Sequence, residues 1–210
     1  MNFEEALAES GVVAIIRSVT PAEVLKVGEA LHQAGVRVVE VPLNSPDPYD
    51  SIDRLATEFK GRLFVGGGTI LTQTEADAVA AAGGRLMVSP NTDPHVIRRA
   101  AAMGMIPFPG FATASEAFVA IEAGARHLKL FPASTYGPGH LKALKAVLPK
   151  DVAIAPVGGV GAAEMAEWRK AGAACFGIGG ELYKPGMAPD EIHRRAVELV
   201  QAEKAARSDR

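Results

Sequence analysis

An α/β fold, closed as a single-domain (β/α)8 TIM barrel with a short N-terminal helix, is what three features of this 210-residue chain predict. Short, nearly unbroken apolar runs alternate with amphipathic stretches from end to end, the pattern of strands buried on both faces between covering helices. Glycine repeatedly closes the amphipathic stretches, at Ala34-Gly35, Ala82-Gly83, Met103-Gly104, Ala123-Gly124 and Ala171-Gly172, where a left-handed residue ends a helix. No linker or low-complexity tract divides the chain, so residues 1–210 read as one domain, with a charged, frayed tail over 204–210.

The elements follow in order. MNFEEALAES is acidic and helix-like. Val12–Arg17 is the first apolar run, and Thr20-Pro21 reads as an N-cap and first helical proline opening Pro21–Ala34. Val38–Leu43 is the second strand, followed by a helix over Asp47–Phe59. Phe64–Thr69 and Gln73–Ala82 form the third pair. Leu86–Pro90 and Asp93–Met103 form the fourth, with Asp93-Pro94 as a second cap-and-proline start. Ile106–Gly110 with Ser115–Ala123, and His127–Pro132 with Gly139–Val147, are the fifth and sixth. Val152–Gly159 with Ala162–Ala171, and Cys175–Gly179 with Pro189–Lys204, complete eight of each, and closure into a barrel is the simplest solution.

Composition excludes several function classes. A formal charge of −2 offers no electrostatic footprint for nucleic acid, and Lys142, Lys145 and Lys150 read as a solvated face. No apolar run is long enough to span a membrane, and the N-terminus lacks the basic and apolar regions of a secretory signal. A lone cysteine, Cys175, reads as an inert core residue; these features suggest a cytoplasmic protein. No His/Cys cluster has metal-ligand spacing, and neither a metal nor a cofactor is expected. Trp168, Met165 and the phenylalanines read as core or interface, and His32 as a solvated helix residue.

Polar residues at strand ends carry the chemistry, because parallel barrels gather their sites on the face where the strands end. Lys129 interrupts the apolar run Leu128-Lys129-Leu130-Phe131-Pro132. Burial disfavours its ammonium and favours the neutral, nucleophilic amine, which is only about one part in 2,500 of a free lysine at pH 7. The competing reading is a lysine that snorkels from a strand end to solvent. Glu40, in Val38-Val39-Glu40-Val41, is an acid/base for Schiff-base chemistry, a strand-end surface acid, or a structural acid paired with Lys129. Arg17 is either a capped surface arginine or a fork for a substrate carboxylate, and Thr69 could add a hydroxyl to the same group. Val157-Gly158-Gly159-Val160-Gly161 and Gly177-Ile178-Gly179-Gly180 follow the last two strands, a frequent phosphate site in such barrels. The run Gly66-Gly67-Gly68 is expected to let the backbone pass close to a ligand.

The segments VVEVPLNSP (38–46), VGGGTIL (65–71), VSPNTDPHVIRRA (88–100), PGFATASEAF (109–118), LKLFPAS (128–134), GPGHLKALKAVLP (137–149) and VGGV (157–160) resemble the class I 2-keto-3-deoxy-6-phosphogluconate aldolase superfamily over residues 10 to 200. Asn44, where the phosphogluconate branch has arginine, together with Arg17 and Val157, resembles the phosphogalactonate branch. The resemblance implies a Schiff-base aldolase that releases pyruvate and D-glyceraldehyde 3-phosphate from a 2-oxo acid sugar phosphate. It implies Lys129 as the Schiff-base lysine and Glu40 as acid/base through a bound water. It implies Arg17 and Thr69 on the pyruvyl carboxylate, the backbone of Gly158, Gly159 and Gly180 on the phosphate, and a homotrimer. The family's Gly-Ser-Asp/Glu-Leu pattern is here Gly179-Gly180-Glu181-Leu182, without the serine hydroxyl. The gluconate epimer, a 4-hydroxy-2-oxoglutarate-type substrate, and a non-catalytic sugar-phosphate-binding barrel stay open as alternatives.

Overall fold

The computed structural model describes residues 1–208 and shows a mixed α/β fold in which every strand pairing is parallel. The strands are β1 (Val12–Ile15), β2 (Val38–Pro42), β3 (Phe64–Gly68), β4 (Leu86–Val88), β5 (Ile106–Phe108), β6 (Gly110–Phe111), β7 (His127–Leu130), β8 (Ala153–Pro156) and β9 (Phe176–Ile178). The helices are α1 (Phe3–Ser10), α2 (Val24–Gln33), α3 (Pro48–Glu58), α4 (Gln73–Ala81), α5 (Pro94–Ala102), α6 (Ala114–Glu122), α7 (Ala133–Lys145), α8 (Met165–Lys170) and α9 (Pro189–Ser208). Six strands form a curled half-barrel in the order β5-β4-β3-β2-β1-β9, and three more form the sheet β6-β7-β8.

The fifth expected strand is divided. Pro109 has no N–H to donate, so the run breaks into β5, which pairs with β4, and β6, which pairs with β7. The carbonyl of Pro109 still accepts from Lys129 N at 2.9 Å. At the other junction a single bridge joins Val157 to Gly177, and Ala174 N donates to Ile154 O at 2.8 Å.

Apart from the divided fifth, the expected strands run past the observed ones. Arg17, Thr69, Pro90, Pro132, Gly158, Gly159 and Gly179 lie in the loops just beyond them, which is where side chains and N–H groups turn toward a ligand. Side chains alternate between two shells, as strand geometry requires. Val12, Ala14, Val39, Val41, Leu128 and Leu130 face the helices. Val13, Ile15, Val38, Phe64, Leu86 and Phe108 fill the interior. Glu40 and Lys129 sit two residues beyond the inward-facing Val38 and His127, and so they too face inward.

α1 stops the end of this interior away from the strand C-termini. Asn2 and Glu5 form its capping box, and Phe3 packs against the rings of Phe64, Phe108 and His127. His127 is buried and pairs with Glu4 at 2.8 Å.

Other expectations need correction. Thr20 does not cap a helix: its hydroxyl bonds to Glu23, Glu23 N reaches back to Thr20 O at 3.1 Å, and α2 begins only at Val24. Asp93 does cap α5, accepting from His95 N and Val96 N, with Pro94 first in the helix. The helix expected over Ala162–Ala171 is a 3-10 turn, Ala162–Glu164, followed by α8. α7 is two helical pieces joined at Gly137, whose φ is 73°; the second is the expected helix, and the first, from Ala133, was not expected. The glycines at the expected helix exits (35, 83, 104, 124 and 172) all have positive φ. Residues 204–208 are not frayed, because α9 continues through Ser208; Asp209 and Arg210 lie outside the described residues. Buried Glu203 ties this helix to Arg169 of α8, and Arg207, which also bonds Glu203, reaches the carbonyl of Ala8 in α1. Cys175 is a buried core thiol, as expected, pushed up to about 12 by burial. His32 is half-buried rather than solvated, its pKa lowered by burial and by Arg37. No described helix is long and apolar enough to cross a membrane.

Candidate active site

A cavity of about 420 Å³ opens where the strands end, a volume suited to a small molecule. It is lined by all eight sequence-derived candidates: Arg17, Glu40, Thr69, Lys129, Val157, Gly158, Gly159 and Gly180. They come from six strands: Arg17 after β1, Glu40 on β2, Thr69 after β3, Lys129 on β7, Val157, Gly158 and Gly159 after β8, and Gly180 after β9.

Lys129 is only 7% exposed, and its ammonium lies 4.8 Å from the centre of the Phe131 ring. Burial pulls its pKa down to about 8; the carboxylate of Glu40 opposes that shift and the charge of Arg17 adds to it. Glu40 is 2% exposed, and burial pushes its carboxyl up to about 7 against the pull of Lys129 and Arg17. Glu40 Oε2 has no hydrogen-bond partner. Burial removes the reading of Glu40 as a surface acid, and among the described residues no ion pair within 4 Å joins it to Lys129. An acceptor buried in this way demands a polar partner, supplied by water or by a substrate hydroxyl.

The glycine run has a different purpose from the one expected. A Cβ on Gly66 would strike the backbone of Leu86, one on Gly67 would strike Val79, and one on Gly68 would overlap the carboxylate of Glu40. The run makes room for protein neighbours, and Gly68 makes room for the acid itself. Next to it Thr69 stands at φ 58°, a left-handed conformation that costs a non-glycine residue about 1–2 kcal/mol. Ser18, also on the cavity wall, stands at φ 65°. Two left-handed non-glycine residues flanking one cavity make it the candidate functional site.

At the opposite end Gly158 and Gly159 have φ of 93° and 72°, and a side chain on Gly159 would meet Ser134. The carbonyls of Val157 and Gly158 accept from Ala133 N at 2.8 Å and Ser134 N at 3.0 Å, which fixes this loop to the start of α7. Val157 packs in the space a side chain on Gly177 would fill. Gly180 lies outside the left-handed region, and a Cβ there meets nothing within 4 Å.

Sequence reasoning missed Phe131 and Tyr183, which also line the cavity. Phe131 was visible as the aromatic two residues after the lysine. Tyr183 carried no signal: its hydroxyl donates to Glu23, 160 residues away, and closes the loop after β9 onto the loop after β1. Burial and that carboxylate hold the phenol well above its usual pKa. Among the described residues no group of His, Cys, Asp and Glu is arranged to hold a metal ion.

The same chain matches the family model of KDPG and KHG aldolase over residues 3–195. It is 44% identical to the 2-dehydro-3-deoxy-6-phosphogalactonate aldolase of Escherichia coli K12 over 92% of this chain and 95% of that protein. Against the KHG/KDPG aldolase of the same organism the identity is 32%, over 80% of this chain and 78% of the relative. A solved structure of native KDPGal superposes with a TM-score of 0.92 at 44% identity, covering 94% of this chain and 96% of that one.

Proposed function

The chain belongs to the KDPG and KHG aldolase family, and from that premise we propose that it cleaves 2-dehydro-3-deoxy-6-phospho-D-galactonate to pyruvate and D-glyceraldehyde 3-phosphate. The observation that carries a Schiff-base mechanism is the pairing, inside one cavity, of a lysine lowered to about 8 with an unpartnered glutamate raised to about 7.

In this mechanism the neutral amine of Lys129 attacks the C2 ketone, and loss of water leaves an iminium. The iminium accepts the electrons of the C3–C4 bond when Glu40, through a water at its orphaned oxygen, takes the C4 hydroxyl proton. D-glyceraldehyde 3-phosphate departs and a pyruvate enamine remains. Glu40 returns a proton to C3, and water hydrolyses the iminium to pyruvate and free Lys129. Arg17 and Thr69 hold the pyruvyl carboxylate, while Gly158, Gly159 and Gly180 hold the phosphate by their backbone.

Support for the galactonate epimer is the higher identity to the phosphogalactonate enzyme, together with Arg17, Asn44 and Val157 at their positions. Steady-state kinetics on both phosphorylated epimers tests it. A higher kcat/KM for the galactonate is expected, and equal or reversed values would transfer the proposal to the gluconate. Closure of the two sheets into one eight-stranded barrel belongs to the same proposal, supported by the Pro109 and Val157 junctions. So do one domain over the chain, a homotrimer and a cytoplasmic location.

Arg17→Ala is expected to weaken every 2-oxo acid, pyruvate included, by about 1.5–3 kcal/mol, the scale of a hydrogen bond to a charged group. Competition by pyruvate and by an unphosphorylated analogue measures this. Loss confined to phosphorylated substrates would move Arg17 to the phosphate end.

Gly180→Ser has open space and a compatible backbone. A hydroxyl there adds a hydrogen bond to a charged group, worth roughly 1.5–3 kcal/mol. The KM for the phosphorylated substrate should fall, with that for an unphosphorylated analogue nearly unchanged. No gain in either affinity or selectivity would mean that the phosphate binds elsewhere or that the natural substrate carries none.

A further inference from the structure

The loop after β2 reaches over to hold Arg17 from outside the cavity wall. Arg17 Nη1 donates to Oδ1 of Asn44, and the N–H of the next residue, Ser18, donates to Oγ of Ser45 at 2.8 Å. Asn44 is exposed and is not part of the cavity lining. Its own position is fixed from beneath. Ser45 N donates to Pro42 O at 2.9 Å, closing a turn, and Leu43 N donates to Gly68 O at 2.8 Å, pinning that turn to β3. Ser45 is buried, so its hydroxyl is a fixed support for the left-handed Ser18 backbone that presents Arg17.

An exposed arginine is long and rich in rotamers, and unaided it would sample many positions. One hydrogen bond from a pinned turn restricts the fork and leaves its other N–H groups for a ligand. The chemistry of the acceptor decides what else it does. An amide oxygen orients the guanidinium without neutralising it. A carboxylate of the same size would form an ion pair with Arg17 and compete with any carboxylate arriving from the cavity.

We infer that Asn44 is a positioning residue for the reaction, a neutral acceptor that aims Arg17 at the carboxylate of the 2-oxo acid and leaves its charge for that carboxylate. The inference rests on the proposed role of Arg17. Its test is the pyruvate concentration that half-saturates borohydride trapping at pH 7 in the full-length native protein, Asn44→Ala and Asn44→Asp. Asparagine and aspartate have the same shape, so a merely structural role leaves Asn44→Asp near native. The expected order is native lowest, alanine higher and aspartate highest, the last about tenfold or more above native, the scale of one hydrogen bond to a charged group. At saturating phosphorylated substrate, kcat should stay within about threefold, because the loss lies in binding. Any other order of half-saturation with the native protein trapping pyruvate overturns the inference alone. A native protein that traps none overturns the Schiff-base reading, and this inference with it.

Discussion

Lys129→Met should lose cleavage by roughly 10⁴-fold or more, since no other group on the cavity wall offers a neutral amine to the ketone. Borohydride added with pyruvate should label the native protein at Lys129, located by peptide mass, and leave the variant unlabelled. A label on another lysine would sink the assignment. In the native protein kcat/KM should rise with pH toward about 8, as the amine loses its proton. Stability gives an independent check. The folded-state pKa of Lys129 lies below the ordinary lysine value, so the fold bears the full cost of the buried ammonium below about 8. Between that value and the ordinary lysine value of 10.5 the unfolded chain holds a proton that the folded one has released, and native stability rises with pH. Lys129→Met should lack that rise and be the more stable protein at neutral pH, read from denaturant midpoints.

Glu40→Gln should keep pyruvate trapping but lose about 10²–10⁴ in cleavage, the usual contribution of a general acid–base group. The amide keeps the shape that Gly68 accommodates and gives up the proton transfer. Single-turnover cleavage against trapping separates the two steps, and a variant with near-normal turnover would remove Glu40 from the mechanism. The sign of its linkage differs from that of the lysine. Its folded pKa is raised from 4.5 to about 7, so native stability declines as pH rises through that window, and the glutamine variant should not show the decline.

Much of this was legible in the residues because strand chemistry is local. All eight apolar runs became strands, and the alternation of side chains along β2 and β7 already pointed Glu40 and Lys129 to the same interior. What escaped depends on register or on distance. That Gly68 lies against the Glu40 carboxylate follows from how β3 is set beside β2, which no single segment encodes. The Arg169–Glu203 and Tyr183–Glu23 pairs join residues 34 and 160 apart and leave no periodic trace. Pro109 was readable in principle as a missing donor; the apolar character of Met105-Ile106-Pro107-Phe108-Pro109 outweighed it. Thr20 failed as a cap for a local reason, because its hydroxyl had the Glu23 side chain within reach.

Gly68, packed against Glu40, and Gly180, on the cavity wall, answer to opposite constraints. Gly68 is hemmed in by the acid it shelters, while Gly180 faces empty space. Under selection for the reaction, the first position has almost no neutral substitutions and the second has many. Drift among descendants of this chain should therefore gather at residue 180, altering which tail of the substrate is welcome, while residue 68 stays fixed and the bond-breaking machinery is inherited unchanged. New substrate preferences would then arise at the rim by single steps, with no intermediate that has lost the chemistry.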